Sequence, residues 1–125
     1  LVVLPHEAEG IQRDIQNADF VLLCPEQASL IPCESVDLAI NTSAFQEMNY
    51  SLIDCYFRLV KRCLRKDGLF YCLNERIFTR HRDDGPIEFE KYPWDPGFDD
   101  IFHEEFAFGR LSGSYERMHR LQVKC

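Results

Sequence analysis

Three short runs in this chain are apolar at almost every position: Phe20–Cys24, Val36–Ile40, interrupted only by Asp37, and Leu69–Leu73. A strand with one wet face alternates apolar and polar residues, whereas continuous apolarity means burial on both faces, as in central strands of a parallel sheet. Leu1–Leu4 reads as a fourth such run, cut short. Parallel neighbours need a crossover between them, and the segment between the second and third runs supplies it. Leu52, Ile53, Tyr56, Leu59, Val60, Cys63 and Leu64 recur at helical spacing and predict one apolar face. Asn49 or Ser51 can cap the start, Asp54 lies in the first turns, and Arg62, Arg65 and Lys66 crowd the last. Gly68 suits a left-handed residue just past the end. The expectation is a helix of about 17 residues inside a right-handed βαβ unit. A shorter helix is expected over Glu7–Gln16, weakened by Gly10.

Beyond Asn74 the character changes. Residues 75–100 hold Gly85-Pro86, Pro93 and Pro96-Gly97 among many carboxylates, which predicts a long acidic loop with little regular structure. Phe89, Tyr92, Trp94 and Phe98 favour a packed loop over a disordered one. Residues 101–109 and 115–123 read as two strands joined by a turn at Leu111–Ser114, an antiparallel hairpin. The expected fold is therefore a single α/β domain over residues 1–125, its sheet mostly parallel and ending in an antiparallel hairpin.

Composition narrows the function classes. The 125 residues carry a net charge of −7, which opposes nucleic acid as the main partner. No apolar run approaches the ~18 residues of a membrane span. Charge is blocked: residues 1–57 carry one Arg against nine carboxylates, 58–82 eight basic residues against two acidic, and 83–105 nine acidic against one basic. A basic helix beside an acidic loop reads as mutual neutralisation; the sharper alternative is a shelf for an anionic substrate. The six cysteines form no C-x-x-C pair and are never grouped with His at zinc-ligand spacing, so reduced thiols in a cytoplasmic protein are expected and no metal site. The chain opens on Leu1, with Met48 and Met118 its methionines and no signal-peptide pattern, which reads as a piece of something longer.

Ligands of open parallel sheets bind outside the carboxyl ends of the strands. Three polar segments leave such ends: Pro25-Glu26-Gln27, Asn41 to Met48, and Asn74-Glu75-Arg76. Glu47 can serve as a base, as a hydrogen-bond acceptor for a substrate, or as a carboxylate at a helix start.

The block Val36-Asp37-Leu38-Ala39-Ile40-Asn41-Thr42-Ser43-Ala44-Phe45-Gln46-Glu47-Met48 resembles the segment around the fourth strand of S-adenosylmethionine-dependent methyltransferases of the Rossmann-like fold. It is most similar to the sugar O-methyltransferases, with their D-L-x-I-N-[ST]-x-S-x-Q-E-M pattern, from which it departs by one step at Ser43-Ala44-Phe45. Tyr56-Phe57, Asp67-Gly68-Leu69-Phe70-Tyr71, Asn74-Glu75-Arg76 and Tyr92-Pro93-Trp94-Asp95 fit the same family, so the likeness runs over about residues 20–123. It implies a partial Rossmann-like sheet and a methyl group passed from S-adenosylmethionine to the hydroxyl of a sugar or sugar conjugate. By position it implies Pro25, Glu26 and Gln27 near the adenine, Asn41, Thr42 and Ser43 near the methionine part or the transferred methyl, and Gln46 and Glu47 facing the acceptor. Glu47 is the first candidate for the base, with His81 and His103 behind it. The Gly-rich turn that holds the amino-acid end of the cofactor in that family has no counterpart, since no G-x-G occurs. Methyl transfer is thus expected only with an upstream half present.

The alternative is a non-catalytic α/β interaction module derived from a methyltransferase, self-associating through an open sheet edge. A dehydrogenase half would need its dinucleotide fingerprint, and a glycosyltransferase a D-x-D pair; neither occurs.

Overall fold

A computed structural model describes residues 15, 17–79, 85–106 and 114–121. The Leu1–Leu4 run, most of the helix expected over Glu7–Gln16, residues 111–113 of the expected turn and His81 lie outside the described residues.

The sheet is built from β1 (Val36–Thr42), β2 (Leu64–Glu75), β5 (Phe98–Phe106) and β6 (Ser114–Leu121), in the spatial order β1-β2-β6-β5. β1 and β2 run parallel, with Leu38 opposite Leu69 and Ile40 opposite Tyr71. β6 runs antiparallel to both of its neighbours, β2 and β5. The expected hairpin is present, but its second strand is inserted beside β2 and its first is carried to the outside. A small second sheet pairs β3 (Ile77–Phe78) with β4 (Ile87–Glu88) inside the segment expected to hold little regular structure.

Helix α1 (Tyr50–Cys63) connects β1 to β2. Its start is fixed by Asn49, whose side-chain oxygen accepts the Leu52 N–H at 2.9 Å. Ile53 and Cys63 are buried, and Tyr56, Phe57 and Val60 pack on the core. The helix is shorter than expected because Leu64 is already extended and opens β2, so Arg65 and Lys66 belong to the strand. Gly68 is not the left-handed residue; Asp67 is, at φ +62°. Glycine is needed at 68 for another reason: a Cβ there would lie 2.9 Å from the Arg65 carbonyl oxygen and 3.2 Å from that of Val36. Asp54 pairs with Arg58 one turn on and lies beyond the first turn.

The core lies between the sheet and α1. Phe45, Ile53, Leu64, Phe70, Cys72, Ile87, Phe89 and Tyr92 form one buried cluster. Each phenylalanine removed from water there contributes about 1.5–3 kcal/mol. Ring contacts of Tyr92 and Trp94 with Phe45, Phe57 and Phe70 tie the 85–98 segment to this core, so it is packed, as its aromatic content predicts.

Two expectations from the apolar runs need correction. Phe20–Cys24 is not a strand: Val21 makes a single bridge and a 3₁₀ helix begins at Pro25. Phe20 is 83% and Leu22 71% exposed. Apolar continuity supplies burial only where a ladder partner exists, and among the described residues this run has none beyond that bridge. Val36–Ile40 is a strand, but in the described sheet it stands at one end of the order, with Leu38 48% and Ile40 63% exposed. The third run behaves as expected, with Phe70, Cys72 and Leu73 buried in β2.

Candidate functional site

β1 and β2 end side by side, and the chain leaving β1 folds back over that end. Ser43 turns it with φ +53°, while its N–H still donates to the Leu73 carbonyl at 2.7 Å. A short 3₁₀ turn, Phe45–Glu47, follows and leads into α1. Phe45 pins this turn from below, its ring 5.7 Å from Phe57, 5.9 Å from Tyr56 and 6.1 Å from Tyr92.

The turn is held from the side by Asn74, near the end of β2 and fully buried. Its Nδ2 donates to Asn41 Oδ1 at 2.8 Å, and its Oδ1 accepts the Gln46 N–H at 3.2 Å. Gln46 returns the link, its Oε1 accepting the Glu75 N–H at 2.7 Å. Cys72 Sγ completes the group, 3.2 Å from Asn74 Nδ2. Burial pushes the Cys72 thiol up to about 12, so it stays protonated beside the amides. The result is a relay of three amide side chains that locks the ends of two parallel strands and the turn between β1 and α1 into one unit.

Of the residues read from the sequence, Asn41 and Gln46 are thus brought together, with Asn74 as their hub. Gln46 is buried and its amide oxygen is committed to β2, which makes it a positioning residue. Thr42, Ser43 and Glu47 are exposed around the same end. Pro25–Gln27 lie at the start of the 3₁₀ helix Pro25–Leu30, and Pro25 faces Leu52, Cys55, Tyr56 and Leu59 of α1 across a shallow groove. Gln27 is buried and its Oε1 accepts the Cys24 N–H at 2.8 Å, while Glu26 is exposed. Arg62 fastens the far end of this helix, donating to the carbonyls of Ile31 at 2.7 Å and Ala28 at 3.0 Å. His103 lies on β5 with Nε2 3.0 Å from Glu90 Oε1.

Three residues of the basic segment form ion pairs: Arg58 with Asp54, Lys61 with Asp95, and Arg65 with Asp37 at 2.9 Å. Of these three pairs, Lys61–Asp95 joins the basic helix to the acidic loop as the charge blocks predict, while Asp54 and Asp37 belong to the acidic front of the chain. Sequence reasoning placed Asn74 in a polar segment at a strand end without singling it out as a hub; the signal available was an amide placed directly after an apolar strand, where a buried polar group must find partners.

Comparison with protein-family models and with curated protein sequences returned no match. Among solved structures the chain is similar to one described as a "putative type 11 methyltransferase from Sulfolobus solfataricus". The TM-score is 0.52 at 15% identity, over 98% of this chain and 70% of that one. The likeness concerns the fold alone: a mixed α/β sheet, parallel in one part and antiparallel in the other, consistent with part of a Rossmann-like fold.

Proposed function

We propose that this chain is the cofactor- and acceptor-facing part of a methyltransferase domain that passes a methyl group from S-adenosylmethionine to a hydroxyl, of a sugar or sugar conjugate. The observation that carries the reading is the amide-locked end of β1 and β2, in a fold similar to that of a protein described as a methyltransferase. The residues present fit part of such a cofactor. Asn41, Thr42 and Ser43 offer an amide and two hydroxyls on a rigid strand end, and Glu26 an exposed carboxylate; these would hold it. The cofactor supplies an electrophilic methyl group on a sulfonium. This chain would then have to position the acceptor oxygen in line and take its proton. Glu47 is exposed directly beside buried Gln46 and is the residue proposed for the proton.

Calorimetric titration of S-adenosylhomocysteine into the protein extended through its upstream reading frame tests this. Micromolar binding that is lost on Asn41→Ala supports it, and no binding by the extended protein refutes it. The 125 residues alone are expected to bind weakly or not at all.

A second reading has an observation of its own. Leu38 and Ile40, exposed on one face of β1, suit a non-catalytic module that associates with a second copy along this edge. A monomer at all concentrations in size-exclusion chromatography would remove it.

A further inference from the structure

A cleft of about 200 Å³ opens between α1 and the Pro93–Phe98 segment, and shares no residue with the amide-locked strand end. Its interior is aromatic: Phe57, Phe70, Trp94 and Phe98 contribute, with Val60 beside them. Phe57 meets Trp94 edge-on at 5.1 Å and Phe70 edge-on at 5.4 Å, which fixes all three rings. The Trp94 indole N–H is already committed to the Phe89 carbonyl at 3.0 Å. The wall it offers is therefore apolar.

The rim has a different chemistry. Asp54 and Arg58 pair on one turn of α1, and Lys61 on the next pairs with Asp95 of the opposite wall. All four line the cleft. Two cations and two carboxylates sum to no net charge. A charged ligand would be attracted by one member of each pair and repelled by the other, and could gain only by breaking a pair. A neutral ligand keeps both pairs and can still donate to a carboxylate or accept from Lys61. An apolar cavity of about 150 Å³ holds a benzene ring, so this one has room for a ring with a substituent.

We propose that this cleft is a binding site for a small neutral aromatic molecule bearing one hydroxyl, the phenol class. The ring enters among Phe57, Phe70 and Trp94, and the hydroxyl stays at the rim between Asp95 and Lys61.

Trp94 is the chain's single tryptophan, so its fluorescence reports on the cleft. The probes are p-cresol, benzoate and benzylamine. p-Cresol should give a saturable change with a dissociation constant on the order of 0.1–1 mM, and benzoate and benzylamine should bind at least tenfold more weakly. Val60→Phe, which fills the cleft, should abolish saturation. Lys61→Met, at an exposed position, leaves one carboxylate uncompensated and should shift preference severalfold from benzoate toward benzylamine. Unsaturable quenching by p-cresol, equal affinity for all three probes, or an unchanged titration in a folded Val60→Phe protein would overturn the proposal. Should Val60→Phe fail to fold, unchanged selectivity in Lys61→Met overturns it equally.

Discussion

Asn74 is the position where the account of the strand-end relay is most exposed to test. Asn74→Ala removes the donor to Asn41 Oδ1 and the acceptor for the Gln46 N–H together. Each group left without a partner costs about 1–3 kcal/mol. Cys72 Sγ, 3.8 Å from Asn41 Oδ1, is a weak substitute. The expected loss is about 2–5 kcal/mol, read as a fall in urea midpoint with the slope unchanged; at a slope of about 1.5 kcal/mol per molar this is roughly 1.5–3 M. Asn74→Asp separates the two halves of the role. The carboxylate still accepts from Gln46 but faces the Asn41 carbonyl oxygen with no proton to donate, in a fully buried place. Burial raises the pKa of the new carboxyl above its unfolded value of about 3.9. The folded state then binds more protons than the unfolded one, so the deficit relative to wild type is smallest near pH 4 and grows as pH rises through the raised folded pKa. A cost below about 0.5 kcal/mol for Asn74→Ala, within the range of an ordinary surface change, would refute the reasoning. So would a deficit of Asn74→Asp that does not vary with pH.

Other positions give separate readouts. Phe45→Ala should cost about 3–5 kcal/mol in denaturant unfolding, since the ring is buried among Tyr56, Phe57, Phe70 and Tyr92. Tyr92→Phe should leave the melting temperature unchanged or raise it, because among the described residues the buried Tyr92 hydroxyl has no hydrogen-bond partner. Burial raises the pKa of Cys72 to about 12 and that of Tyr92 also upward, so stability should hold below pH 9 and fall as pH climbs toward 12, visible in melts across that range. In the extended protein, Glu47→Gln should slow methyl transfer by about 10²–10⁴-fold and remove the acidic limb of the pH–rate profile; an unaltered profile would exclude Glu47 as base.

Much of this architecture was legible because it rests on local signals. The Asn49 cap, the apolar stripe of α1 and the packed aromatic segment each depend on residues close in sequence, where spacing alone states the geometry. The failures came where a neighbour decides. Phe20–Cys24 looks like Leu69–Leu73 on paper, but a ladder partner on each side makes only the second a central strand. Gly68 was read as a helix stop because its neighbours in sequence fit one; the crowding that requires it comes partly from Val36 in another strand. At the strand end, Gln46 and Asn41 could be picked out as polar residues in the right place. That Gln46 would turn inward depended on Asn74, 28 positions away.

The placement of β6 bears on how the chain can assemble. Its residues, 114–121, pair on one side with Leu69–Glu75 and on the other with Phe98–Phe106, so the last of these strands to leave a ribosome is an interior member of the sheet. Until it arrives, β5 has no hydrogen-bonded connection to β2. During synthesis the β1–α1–β2 unit can form early, while among the described residues β5 gains its ladder partner only when β6 arrives. Sheets closed by such distant pairings fold slowly, and a nascent chain stalled before residue 114 would hold β2 and β5 without the strand that joins them.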